Sequence, residues 1–150
     1  MHATIRPITA GDYDAWLPLW QGYQRFYQVD LAEDVTRTTF ARFLNPDEPV
    51  FAAVAETADG ALVGTVHWLF RRNTWSIADH CYLQDLFVAE SGRGQRIGEA
   101  LIHHVYAAAR AVGAPAVYWL THETNTTARR LYDRVADNTG FLRYRKMLGA

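Results

Sequence analysis

Residues 85–98 read Asp-Leu-Phe-Val-Ala-Glu-Ser-Gly-Arg-Gly-Gln-Arg-Ile-Gly, and this stretch constrains the chain more than any other. An apolar strand (Leu86, Phe87, Val88) runs into a basic, glycine-bearing turn that opens a helix at about Ile97. Such a junction is an anion cradle. The first-turn amides of a helix have no partner inside it, and the helix dipole adds partial positive charge. Arg93 and Arg96 add full charges that can fork onto phosphate oxygens. The simplest client is a cofactor that carries a pyrophosphate.

The turn narrows the choice. Gly-x-x-x-x-Gly-Lys-Ser/Thr does not occur in the chain. The Gly-x-Gly-x-x-Gly of a dinucleotide fold, with its acidic residue about twenty positions on, is also missing. Arg93-Gly94-Gln95-Arg96-Ile97-Gly98 instead resembles the Arg/Gln-x-x-Gly-x-Gly/Ala loop of the GNAT superfamily, the acyl-CoA-dependent N-acetyltransferases. Arg96 stands where that pattern has its middle glycine. Either the backbone there keeps a negative φ, or the loop differs from the family's. A second block supports the resemblance. After an apolar strand ending at Thr121, Asn125 occupies a helix N-cap position, and Ala128, Leu131, Tyr132 and Val135 follow at helical spacing. Asn-x-x-Ala-x-x-Leu-Tyr after a strand is similar to the fourth conserved block of the same superfamily. Residues 82–88 and 119–132 look most like its polyamine and histone/polyamine branches.

The resemblance implies a mixed α/β fold with a central, mostly antiparallel sheet of six to seven strands and four helices. It implies acetyl-CoA as co-substrate, gripped at the pyrophosphate by Arg93, Gly94, Gln95, Arg96, Ile97 and Gly98. The backbone of Phe87 and Val88 would pair with the pantetheine arm like an added strand. Asn125 and Ala128 would contact the same cofactor, and Tyr132 matches the family's general acid.

Bulk properties bound the remaining choices. The chain of 150 residues is read as a single domain, 1–150. No apolar run approaches a membrane span, and the start lacks a secretion pattern. With one cysteine, Cys81, an internal disulfide is excluded and a cytoplasmic setting is expected. A net charge of −1 argues against nucleic acid as the main partner. A nucleic-acid binder using Arg129, Arg130, Arg134, Arg143 and Arg145 is kept as a rival. The sign of charge changes along the chain. From Thr9 to Pro49 seven acids face three arginines, whereas from Ser91 to Lys146 nine basic residues face four acids. The later half suits an anionic cofactor and the earlier segment a cationic amine, although both could be ordinary solvated surface.

The hydrophobic periods give the order β-αα-βββ-α-β-α-β. A strand at Ala3–Ile8 precedes a Thr9–Asp12 capping box and a helix from Ala10 to about Gln28, which Pro18 could kink. A helix at Asp34–Leu44 follows. Strands are expected at Val50–Glu56, Ala61–Phe70 and Ile77–Ala89, then a helix from Ile97 that Gly113 closes. A strand at Ala116–Thr121, a helix at Thr126–Val135 and a strand at Phe141–Met147 complete the chain.

Acyl transfer to an amine makes definite demands. A lysine-like amine with a pKa of about 10.4 is neutral in roughly one molecule per few thousand at pH 7, so a base is useful. The departing thiolate should gain a proton. A phenol near 10 is a slightly weaker acid than a thiol near 8.5, a mismatch of about 2 kcal/mol that a positioned donor can carry. Tyr132 fits that role, and it is equally of a type that packs on amphipathic helices. The base is less defined. Polyamine acetyltransferases carry a glutamate where this chain has Gln84, and a neutral amide cannot take up the proton. Asp85 is the candidate we select. Regular alternation points it away from the Gln84 face, so it would need a bulge to redirect it. It could equally be a hydrogen-bonded strand residue, and Glu123 and His80 are further candidates.

Trp16, Trp20, Tyr23 and Tyr27 form one helical stripe, read first as core and second as the aromatic wall of an amine site. Glu33 and Asp34 could bind a second amine or simply be solvated. Cys81 reads as a small buried residue, and the histidines lack metal-ligand spacing, so no metal is expected. The leading expectation is acetyl transfer from acetyl-CoA to a primary amine of a small cationic molecule, by direct attack in a ternary complex. A protein lysine is the next acceptor, and a non-catalytic acyl-CoA sensor is the rival class. The expected partners are acetyl-CoA, the amine and a second copy in a homodimer, with neither nucleic acid nor membrane.

Overall fold

The computed structural model describes residues 2–149, which divide into two compact units after Leu120. The first unit is built on a five-stranded sheet in the order β1 (Ala3–Pro7), β2 (Val50–Thr57), β3 (Leu62–Arg71), β4 (His80–Val88) and β5 (Val117–Tyr118). Neighbours are antiparallel except β4 and β5, which are parallel. The helices are α1 (Tyr13–Phe26), α2 (Glu33–Leu44) and α3 (Ile97–Ala111). The second unit holds α4 (Thr126–Val135), whose bounds match the sequence expectation.

Two aromatic clusters show how the sheet is covered. On one face Trp16, Trp20 and Phe40 pack with Ile8, Ala52 and Val54 in a single core, with Tyr13, Tyr23 and Phe43 against it. On the other, the Trp68 ring meets His104 of α3 edge to face at 5.7 Å, and Leu101 and Ile97 of α3 lie over Gly64. Odd-numbered residues of β3 therefore face α1 and α2, and even-numbered ones face α3.

The turn into α1 is fixed by charge. Thr9 and Asp12 form the expected capping box around a 3-10 turn at Ala10–Asp12. Arg6 on β1 grips Asp12 with two nitrogens at 2.8 and 2.9 Å and reaches Glu56 on β2 at 2.8 Å. The fork ties two strands to the start of α1, and it holds the Asp12 carboxyl down at about 2. Pro18 sits inside α1 without ending it.

The sheet has five strands where six to seven were expected. The difference lies at Phe141–Met147, where no strand forms. Phe141, Leu142, Tyr144 and Met147 are 83%, 75%, 92% and 72% exposed. A strand is a pairing rather than a local conformation, and among the described residues no edge takes this segment up.

Candidate active site

The strand-turn-helix junction forms as its sequence implies. After β4 the chain makes a short 3-10 turn at Glu90–Gly92, and α3 opens at Ile97. The first bond of α3 runs from the Ala100 amide to the Arg96 carbonyl at 3.1 Å, so the Ile97 and Gly98 amides precede the helical ladder. Gly92 must be glycine-sized, because a Cβ there would stand 3.1–3.2 Å from Ile97, Val63 and Val88. Gly94 has φ +77 and would present a Cβ to open space. Arg93 and Arg96 are exposed, and Gln95 is half-buried with its Oε1 lacking a hydrogen-bond partner. Unladdered backbone amides at this turn fit an anionic ligand seated there.

At the position where the family pattern has glycine, the Arg96 backbone is left-handed, with φ 59 and ψ 25. Of the two alternatives left open by the sequence, negative φ is excluded. A side chain is carried here in a conformation that glycine adopts without strain.

The outer edge of β4 is open. β5 pairs with it only at Cys81 and Tyr82. Among the described residues no strand pairs with Leu83–Val88 on that side. The backbone of Phe87 and Val88 can therefore receive an extended ligand as a strand would. The Phe87 ring turns to the α1 face and touches Gly22.

A bulge sets the chemistry of this strand. Trp68 pairs with Leu83 and its neighbour His67 pairs with Asp85, leaving Gln84 as the extra residue. Without it, Asp85 would share the α3 face with Cys81 and Leu83. With it, Asp85 joins His67 on the α1 face, and its Oδ2 lies 3.0 Å from His67 Nδ1. Gln84 itself is exposed.

Above this pair stands the aromatic stripe of α1. Trp16 and Trp20 stack at 6.0 Å, Trp20 and Tyr23 at 5.0 Å, and Tyr23 and Tyr27 meet at 4.8 Å. The two tryptophans are buried and the two tyrosines half-buried, so one stripe supplies both a core and a wall. Burial, with the nearby Asp85 carboxylate, pushes both phenols above the usual tyrosine range.

Other candidates sit elsewhere. His80 Nδ1 bonds the Asn73 amide at 3.0 Å. Glu33 pairs with Arg37 at 2.9 Å on the surface of α2. Burial pushes the Cys81 thiol up to about 12, against a role as nucleophile. Among the described residues no His/Cys/Asp/Glu group could hold a metal, and no helix is long and apolar enough to cross a membrane.

In the second unit Asn125 takes the N-cap position of α4, but its side chain does not cap the helix. Its Nδ2 donates to Thr121 Oγ1 at 3.3 Å instead. Ala128, Leu131, Tyr132 and Val135 are all half-buried. Glu123 is exposed, and its carbonyl accepts a hydrogen bond from Arg129 at 2.8 Å.

The sequence reading missed His67, a lone histidine inside an apolar strand. The available signal was the polar pair Thr65 and His67 at alternate positions of β3.

Comparison with known proteins bears on the family and the fold. The model of the acetyltransferase (GNAT) family matches residues 16–136. The D-amino-acid N-acetyltransferase HPA3 of Saccharomyces cerevisiae is 36% identical over 143 residues, 95% of this chain and 89% of that one. A solved probable acetyltransferase superposes with a TM-score of 0.85 at 21% identity, covering 98% of this chain and 99% of that one. AAC(6')-Iy in complex with a bisubstrate analog, CoA-S-monomethyl-acetylneamine, superposes at 0.83 and 20% identity, covering 99% and 100%.

Proposed function

Because this chain belongs to the acetyltransferase (GNAT) family, and so is an N-acetyltransferase that uses acetyl-CoA, we propose that its acceptor is the primary amine of a small cationic molecule. A polyamine, an amino acid or a related metabolite fits that description. The carrying observation is the Asp85 carboxylate, turned by the Gln84 bulge toward a cluster of rings that includes Tyr23 and Tyr27. A carboxylate below aromatic faces attracts an ammonium group by charge and by ring quadrupole. The relative named for D-amino acids also supports a small amine.

Acetyl-CoA supplies the acetyl group already activated as a thioester. Arg93, Gly94, Gln95, Arg96, Ile97 and Gly98 hold its diphosphate, with charge from the arginines and amides from the start of α3. The open edge at Phe87 and Val88 aligns its extended arm, and Asn125 and Ala128 add contacts to it. Asp85 takes the proton that frees the amine for direct attack. Tyr132 donates a proton to the departing sulfur. Residues 1–150 act together as one N-acetyltransferase domain, in the cytoplasm, where the buried and unpaired Cys81 stays reduced.

The working unit is a homodimer. The segment at 141–147 exposes its apolar side chains, and a second copy would cover them. Sedimentation as a monomer at micromolar concentration would remove this part of the reading.

The test is CoA release with a panel of small amines and a lysine-containing peptide. Turnover is expected with small cationic amines. Preference for the peptide points to a protein lysine, and tight acetyl-CoA binding without turnover on any amine points to a sensor.

A further inference from the structure

His67 lies in the middle of β3 and is 2% exposed. The Trp16 indole nitrogen stands 3.1 Å from its Nε2. An indole only donates, so Nε2 must accept and carries no proton. Thr65 Oγ1 is 3.3 Å from the same nitrogen, but it donates to the Ala53 carbonyl at 3.1 Å. The imidazole proton is therefore on Nδ1, facing Asp85 Oδ2. A doubly protonated ring would set two N–H groups against each other at Trp16. Around it stand the rings of Trp16, Trp20 and Phe43, with centroids 5.8, 5.2 and 4.7 Å away.

The groups around His67, Asp85 and Tyr23 come from three elements and the strand beside them. Helix α1 contributes Tyr23 and Tyr27, whose phenols feel the Asp85 charge. Strand β4 contributes Tyr82, which stacks on Tyr118 of β5 at 4.9 Å, and Tyr118 is bonded by Arg71. Helix α2 brings Phe43, which has no proton to exchange. The His67 Nδ1–H thus faces Asp85 as a donor, as an acceptor-only carboxylate requires.

Building on the acceptor reading above, we infer that His67 is a positioning residue for acetyl transfer: the Trp16 indole occupies its Nε2, and its Nδ1–H aims the Asp85 carboxylate that accepts a proton from the acceptor's ammonium. That proton passes from nitrogen to a carboxylate oxygen and leaves the nitrogen lone pair free. Asp85 is 9% exposed, so the proton can go on to water. The second proton lost by nitrogen, on amide formation, balances the one the sulfur gains.

The experiment measures kcat and KM against pH for wild type, Asp85→Asn, His67→Gln, His67→Asn and Tyr23→Phe, with melting curves for each. Asp85→Asn should lose on the order of 100-fold in kcat at pH 7. Its rate should then rise about tenfold per pH unit toward the amine's own pKa near 10. His67→Gln removes the Nδ1 donor, so the acid limb of kcat should move to higher pH while KM for acetyl-CoA holds. His67→Asn places an amide nitrogen near the Nδ1 position and should move the limb back. Tyr23→Phe removes a hydroxyl close to the carboxylate from a half-buried site, and should shift the limb the same way even if the His67 variants fail to fold. Variants that melt earlier but keep the wild-type pH profile overturn the inference and leave the acceptor reading standing. Wild type that binds acetyl-CoA yet turns over no amine defeats that reading, and this inference with it.

Discussion

Gly22 of α1 and Phe87 of β4 meet so closely that a Cβ on Gly22 would stand 2.6 Å from the Phe87 ring. Alanine inside a helix is ordinarily worth about 1 kcal/mol over glycine. Here the ring must swing aside, on the strand assigned to the cofactor arm. Gly22→Ala should therefore give no net stabilisation in urea titration, and KM for acetyl-CoA should rise. A gain of about 1 kcal/mol with KM unchanged would show that the contact is slack.

Arg96 carries a side chain at φ 59. Arg96→Gly and Arg96→Ala both remove the guanidinium, but only glycine relieves the backbone. The glycine variant should be more stable than the alanine variant by about 1 kcal/mol, read from denaturant midpoints. The Arg96–Glu99 pair, at 3.5 Å with the arginine 80% exposed, adds little to either comparison. Equal midpoints would contradict a strained turn.

Asp12 sets an acid limit on stability. The Arg6 hydrogen bonds hold its carboxyl at about 2, below the ordinary 3.8. Its contribution is complete above the unfolded value near 4 and is lost as pH falls through about 2. Allowing for solvent screening, the loss should be about 1–2 kcal/mol. Asp12→Asn should be less stable than wild type at pH 5, and the gap should narrow by pH 2.5. A constant gap would place the effect in packing.

Much of this arrangement was legible in the chain because its signals are local. The junction at 85–98 and helix Thr126–Val135 rest on spacing, caps and turn residues within a few positions. What escaped depends on pairing at a distance. The bulge that Asp85 required could be named but not located, since it exists only relative to β3, and His67 meets Asp85 18 residues on along the chain. Phe141–Met147 carries a strand pattern, but a pattern cannot supply its own partner. The Arg96 conformation follows from the loop as a whole, since no side chain announces a left-handed backbone.

Tyr132 is assigned the proton donated to sulfur. Tyr132→Phe keeps the ring and removes only the hydroxyl. Turnover should fall on the order of 100-fold while acetyl-CoA affinity changes little, as burst and binding measurements would show. Unchanged turnover would remove Tyr132 from the mechanism.

The measurement closest to the central claim is calorimetric titration of coenzyme A into wild type and Gly94→Trp. Gly94 faces open space, so an indole there fills the turn where the diphosphate is assigned; its φ of +77 makes any side chain cost about 1 kcal/mol, so the melting curve of the variant is compared first. The account predicts saturable heat for wild type and none for the variant at equal folding. Wild type that gives neither heat nor a thermal shift at millimolar coenzyme A, or a variant that binds normally, would contradict it.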